Sequence, residues 1–343
     1  MAEHMSENTI RLPDTSQLVI SSSPHLHDDV SVRRIMFTVI AALLPACLAG
    51  AWYFGPRAVW VLLVCVASCI ACEILSARLI GRDVRVADGS AALTGLLLGM
   101  NLPVTTPAWV CVIGSAIAIV LGKMIYGGLG YNPFNPALVG RVALLLAFPT
   151  TMTTWVAPLT RRLEWAGVDS VTQATPLGVA VAEAGPPPFP LWDLFIGRTG
   201  GSLGETCVPA LLLGGLVLIA LRIIRWQVPV CFLATVAVMA GVTHWLAPAQ
   251  CAPPLYHLFS GGLVLGAFFM ATDMVTTPLS RKGAVLFAVG CGVLTSVIRI
   301  WGSYPEGVSF SILIMNSLTP LIDRWTAGKP FGAPRHAPRE VKP

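Results

Sequence analysis

The feature that most constrains this chain is a succession of ten apolar windows. They lie near 35–54, 58–77, 89–103, 107–125, 134–150, 207–224, 228–247, 258–274, 283–301 and 306–322. Several approach the ~20 residues that cross about 30 Å of hydrocarbon as a helix. In lipid every backbone N–H and C=O must be satisfied within the chain, which helices achieve and open strands do not. Only 11% of the 343 residues are charged, against roughly 25% in a soluble protein. Too little polar surface remains to face water, and the expectation is an all-α integral membrane protein with about ten transmembrane helices.

Lysines and arginines orient these spans, because cytoplasmic loops carry the excess of both. With the N-terminus inside, sixteen of the 22 basic residues fall on the cytoplasmic side, four fall outside, and Arg141 and Arg299 lie within spans. Both termini are then cytoplasmic, and the long connection 151–206 lies on the outer face of the membrane. Residues 1–34 read as a cytoplasmic segment, 35–150 as a first five-helix unit, 207–324 as a second and 325–343 as a cytoplasmic tail. No apolar leader core precedes Ile35, so the first span is expected to act as an uncleaved insertion signal. The net charge of +5 is spread along the chain rather than clustered; membrane lipid is an expected contact and nucleic acid is not.

The two units echo each other. Gly95-Leu96-Leu97-Leu98-Gly99 precedes Val104-Thr105-Thr106-Pro107 in span three, and Gly262-Leu263-Val264-Leu265-Gly266 precedes Val275-Thr276-Thr277-Pro278 in span eight. An offset of five spans reverses direction in the membrane, so the pattern predicts two inverted five-helix repeats. In such folds, short Gly- or Pro-interrupted spans at corresponding positions point to the binding site. Seven of the nine cysteines lie inside apolar runs. Cys69-Ile70-Ala71-Cys72 has no second pair or nearby His, so these thiols read as packing groups and no metal site is expected.

Between spans four and five stands Gly127-Gly128-Leu129-Gly130-Tyr131-Asn132-Pro133-Phe134-Asn135-Pro136. Non-helical backbone near membrane depth is tolerated where it packs in protein or lines a cavity. Asn132 and Asn135 offer amide donors and acceptors to a planar polar ligand such as a flavin ring. Equally, they suit a connector whose Asn side chains cap the next helix. Asp273, Arg141, Arg299 and Glu73 are ionisable groups within or beside apolar runs. For Asp273 and Arg141 a functional role is the reading, for Arg299 a buried partner or a snorkelling side chain, and for Glu73 a snorkelling side chain.

The outer loop carries Asp169-x-x-Thr172-x-Ala174-Thr175, followed by Pro176. A threonine hydroxyl is too weak an acid to attack a phosphate unaided, so a modifying enzyme would have to recognise its surroundings. One reading is a phosphoester to FMN; the other is an Asx- or Thr-type turn leading into a helix.

Together these segments resemble the D subunit of the Rnf complex, a membrane ferredoxin:NAD⁺ oxidoreductase. More distantly, they are similar to the B subunit of the sodium-pumping NADH:quinone reductase. The resemblance runs from Ser23-Pro24-His25 to about Asp323 and includes Asp88-Gly89-Ser90-Ala91, the Gly127–Pro136 stretch with Ala137-Leu138-Val139-Gly140, and the Asp169–Thr175 motif. Gly201 to Thr206, Leu265 to Asp273 and Arg299 to Gly307 extend it, and Met315-Asn316 with Pro320 to Asp323 closes it.

The family implies FMN esterified through its phosphate to Thr175 by a dedicated flavin transferase, with Asp169, Thr172 and Ala174 as the recognition context. It also implies a second, non-covalent riboflavin, with the related Asn-x-x-Asn falling on Asn132 and Asn135. The implied function is electron relay between these flavins, coupled to movement of Na⁺ or H⁺. The implied partners are the other membrane and peripheral Rnf subunits, among them a second FMN-bearing one. Where the family usually has Gly before Ala-Thr, this chain has Gln173. No ferredoxin, NAD or quinone site is legible, so catalysis would belong to an assembly. A channel or solute transporter of inverted-repeat fold, without redox chemistry, is the alternative. The absorption spectrum of the purified protein separates the two.

Overall fold

The computed structural model describes residues 31–82, 86–158, 175–177, 189–248, 251–302 and 307–328. Each of the ten apolar windows contains helix, and no strand pairing beyond an isolated bridge occurs among the described residues. The first half holds α1 (Val32–Phe54), α2 (Pro56–Ile80), α3 (Ser90–Met100), α4 (Ala108–Ala116, continuing as π-helix over Ile117–Met124), α5 (Pro136–Ala147) and the single turn α6 (Pro149–Met152). After the short α7 (Leu191–Ile196) come α8 (Val208–Ala220), α9 (Gln227–Leu246) and the short α10 (Pro254–Phe259). The last three are α11 (Leu263–Leu265, continuing as π-helix over Gly266–Met270), α12 (Arg281–Trp301) and α13 (Val308–Thr326).

Four of these, α1, α2, α9 and α12, are long and apolar enough to cross a membrane. Leu48, Trp52, Leu63, Leu79 and Trp245 on three of them are more than half exposed. Such surface suits a lipid solvent, in which apolar side chains outside cost nothing. Polar residues turn inward instead. Ser115 Oγ on α4 donates to Cys65 O on α2 at 3.3 Å, and Thr295 on α12 shares a 2.6 Å hydrogen bond with Ser311 on α13. Cys69 packs with Ala77, Ala91 and Ile119.

Local chemistry sets the helix ends. Ser31 and Ser280 accept from Arg34 N and Gly283 N, capping α1 and α12. Asn135 accepts from Ala137 N with Pro136 in the first turn, so α5 starts where the preceding loop stops. Helices α2 and α3 lie against each other because Gly95 presents no side chain. A Cβ there would stand 2.6 Å from Val66 Cα, inside the backbone of α2.

Across the two halves α1 packs on α8, and α5 touches α13. Within them α2 contacts α3 and α4, α9 contacts α12, and α12 contacts α13. Windows 89–103 and 258–274 are much shorter as helix than their apolar lengths suggest. Asn101 ends α3 by bonding back to Leu97 O at 2.7 Å, and the backbone leaves the helix again at Ala271. Both ends meet near the centre, where Asn101 Nδ2 lies 3.7 Å from Met270 Sδ.

Candidate functional site

Two sites at opposite ends of the bundle gather the polar residues. The first is a cleft with about 790 Å³ of empty space, its open mouth included. Its polar lining comes from Ser90, Thr94, Lys123, Asn132, Asn135, Thr272 and Asp273, and its apolar wall includes Leu97, Phe268 and Phe269. A few polar groups on an apolar wall is the usual make-up of a small-molecule site. The sequence motif and the broken span eight thus converge: Asn132, Asn135 and Asp273 line one cavity.

The two Asn side chains are used differently. Both polar atoms of the Asn135 amide are engaged, its Oδ1 capping α5 and its Nδ2 donating to Met270 O at 3.2 Å. It ties α5 to the end of the π-helix and so fixes one wall. Asn132 donates to Phe134 O at 3.0 Å, but its buried Oδ1 has no hydrogen-bond partner. An unpaired buried carbonyl costs about 1–3 kcal/mol, and a ligand donor in the cleft would remove that cost. Asp273 bonds within its own turn, accepting from Val275 N and Thr276 Oγ1 at 3.4 and 3.3 Å.

Beside this cleft lies a chain of ionic and polar side chains that spacing does not reveal. Lys123 Nζ donates to both Glu73 oxygens at 2.8 and 2.9 Å and to Ser90 Oγ at 2.7 Å. Ser90 Oγ donates onward to Asp88 Oδ1 at 2.7 Å. Glu73 is therefore no snorkelling side chain: it is buried and paired. Lys123, one of the sixteen basic residues counted on the cytoplasmic side, likewise stands buried inside the bundle. Its position within the apolar run 107–125 is the sequence signal for that burial. Glu73 and Asp88 face a second cavity, with about 1710 Å³ of empty space including its mouth, shared with Arg82 and the Gly127–Leu129 backbone. The ion pair thus separates two cavities, one bordered by Lys123 and the other by Glu73.

The second site surrounds Thr175. Asp169, Thr172, Gln173 and Ala174 lie outside the described residues, whereas Thr175, Pro176 and Leu177 are described and buried. Tyr256 on α10 donates its hydroxyl to Pro176 O at 3.2 Å. Beneath it Arg299, buried near the end of α12, donates to His257 O at 2.7 Å and Ser260 O at 3.1 Å. Arg299 is thereby a buried support for α10, with no solvent for a snorkelling head group. Phe195 on α7 packs edge-on against Phe259 at 5.3 Å, widening this platform. His244 and Cys251 complete its edge: His244 Nδ1–H donates to Cys251 O at 2.6 Å, and Cys251 Sγ lies 3.6 Å from His257 Nε2. Burial, with Arg299 and His244 adding to it, pushes the His257 imidazole down to about 4. Arg141 is the counterpart in the first half. It is buried on α5, donates to Met152 Sδ at 3.3 Å and stands 5.9 Å from the Trp155 ring.

Comparison with known proteins gives these sites a context. Residues 19–332 match the family described as "NQR2, RnfD, RnfE family". The chain is 44% identical, over 92% of its length and 96% of the relative, to the D subunit of the proton-translocating ferredoxin:NAD(+) oxidoreductase complex of Clostridium ljungdahlii. It is 46% identical to the D subunit of the ion-translocating oxidoreductase complex of Stutzerimonas stutzeri, over 88% of this chain and 92% of that one. It is 45% identical to the D subunit of the Na(+)-translocating ferredoxin:NAD(+) oxidoreductase complex of Acetobacterium woodii, over 92% and 95%.

Proposed function

The chain belongs to the NQR2, RnfD, RnfE family, and from that membership we propose that it is the D subunit of an ion-translocating ferredoxin:NAD oxidoreductase complex. In this reading it works among the other membrane and peripheral Rnf subunits of a bacterial inner membrane. It carries FMN as a phosphoester on Thr175, installed by a flavin transferase, and holds riboflavin in the cleft at Asn132. Both termini are cytoplasmic and residues 151–206 are periplasmic, which the charge distribution supports. The neighbour relations α1–α8 and α5–α13 support two inverted five-helix units, in which ten helices cross the membrane.

The observation that carries the riboflavin half is the orphaned Asn132 Oδ1 in a cleft of suitable make-up. Flavins supply one- and two-electron transfer, and the protein supplies position and electrostatics. Asn132 would accept from a ligand N–H or hydroxyl, the aromatic wall at Phe268 and Phe269 would exclude water, and Asn135 would hold the wall in place. The FMN half rests on Asp169-x-x-Thr172-x-Ala174-Thr175 together with the family. Coupling to an ion belongs to the same reading. The proton-named and sodium-named relatives are 44% and 45% identical to this chain, and the reading covers Na⁺ and H⁺ alike.

Two measurements test the proposal. Flavin fluorescence in a denaturing gel reports covalent flavin, and Thr175→Ala is expected to abolish the band; a retained band refutes the assignment. Absorption of the purified Thr175→Ala protein then reports the second flavin. Absence of flavin bands there removes the riboflavin half.

A further inference from the structure

The segment Thr175–Leu177 is seated on the bundle through specific contacts. Tyr256 reaches Pro176 O with a phenol that burial pushes up to about 12, so it remains a donor at physiological pH. Leu177 fills the corner beside Gly261, whose φ is +67°. A Cβ at Gly261 would stand 3.1 Å from Leu177 Cδ1 and 2.9 Å from Arg299 Nη2, so backbone, leucine and guanidinium close on one another. Arg299 locks the shelf by holding the carbonyls of His257 and Ser260. Thr175 itself is only 7% exposed.

A transferase must bring a donor phosphorus in line with the acceptor oxygen. A threonine with so little exposed surface cannot enter another protein's active site. We infer that the Thr175–Leu177 segment is modified off the shelf and afterwards seated on it, with Tyr256 as the positioning residue. This rests on the reading of Thr175 as the flavin acceptor. FMN's own phosphomonoester is not activated, so the donor must be a flavin dinucleotide. The Thr175 Oγ–P bond forms, the pyrophosphate bond breaks, a nucleoside monophosphate leaves, and the hydroxyl proton passes to the transferase. No electrons are exchanged. Seating runs through Pro176 and Leu177, so the shelf holds the segment by residues that the modification does not alter. It fixes where the flavin-bearing residue stands relative to α12, which a freely moving loop would not do.

The test uses the full chain in membranes. In cells lacking the transferase, Thr175→Cys is labelled with a water-soluble maleimide, and modification at position 175 is read by peptide mass. Labelling is expected to be slow. Adding Tyr256→Phe should accelerate it about three- to tenfold, the population shift from losing one hydrogen bond. Leu177→Ala should do the same and guards against a peculiarity of one variant. With Thr175 intact and the transferase present, Tyr256→Phe should acquire in-gel flavin fluorescence faster by a similar factor. Equal labelling rates in all three proteins would overturn the shelf. Faster labelling with slower flavin attachment would overturn the order of events, because the shelf would then present the acceptor instead of covering it. A fluorescent band surviving in Thr175→Ala would remove the acceptor assignment and leave the labelling result intact, so the two failures are distinguishable.

Discussion

One end of the bundle pairs buried charge with buried charge; the other pairs charge with backbone. Lys123 is held by Glu73 and Ser90 between two cavities. Arg299, near the end of α12, instead gives its guanidinium to the carbonyls of His257 and Ser260. The physical consequences differ. A guanidinium stays charged and its carbonyl partners cannot titrate, so the Arg299 end is a fixed support, fit to seat a segment. The lysine–carboxylate pair holds α2 to the π-helix of α4 and borders space on either side. The ion-paired end is therefore the one beside the proposed riboflavin cleft, and the end fixed through backbone carbonyls is the one beside the proposed FMN threonine.

The largest expected effect breaks the first arrangement. Lys123→Met leaves Glu73 buried without its partner, a situation that costs about 3–5 kcal/mol. The thermal midpoint of the purified chain in detergent should fall steeply. Glu73→Gln combined with Lys123→Met removes both charges and should recover most of the loss. If the single and double variants are equally unstable, the pair is not what holds α2 to the π-helix of α4.

The second arrangement breaks with pH instead. His257 is buried and neutral in the fold, with its imidazole pushed down to about 4 from an ordinary 6.5. A folded state that resists protonation is stabilised, relative to the unfolded chain, above pH 6.5. That advantage disappears as pH falls from 6.5 to 4, by about 3 kcal/mol in all. Thermal midpoints measured across this window should drop towards the acid end, and His257→Gln should flatten the slope. An unchanged slope would place the acid sensitivity elsewhere than the shelf.

These contrasts show what a single sequence discloses. The ten apolar windows each contain helix because lipid leaves the backbone no other general solution. Asn135-Pro136 announces a helix start because capping is local chemistry. The helices of spans three and eight are shorter than their apolar runs, since Asn101 folds back on Leu97 O and the backbone leaves the helix at Ala271. Glu73 and Lys123 are 50 residues apart on different helices, and no spacing rule connects them. Tyr256 and Pro176, 80 apart, are equally invisible. Motif reading locates Thr175 but not the surface that receives it, because a seat is made of whatever the fold brings near. Likewise Arg141 and Arg299 stand out as charges in apolar runs, while their partners, a thioether and backbone carbonyls, are visible only in three dimensions.

The smallest effects separate the two Asn residues. Asn135 caps α5 and donates to Met270 O, so both of its polar atoms serve the wall. Asn135→Ala should therefore cost about 2 kcal/mol of stability, the cap and the bond to Met270 O together, and any loss of riboflavin should follow from the disturbed wall. Asn132 contributes one loop hydrogen bond and an unpartnered Oδ1. Asn132→Leu abolishes the orphaned carbonyl, so the ligand-free protein should be nearly as stable as the parent or slightly more so. Its affinity for riboflavin should fall about tenfold, the worth of one buried hydrogen bond. Riboflavin titration by fluorescence quenching, set beside thermal midpoints of the ligand-free proteins, resolves the pair. The cleft is a flavin site built around Asn132 only if affinity and stability move apart in that variant. Should Asn132→Leu bind riboflavin as the parent does, the open oxygen belongs to some other ligand and the flavin must be sought in the larger cavity beside Glu73.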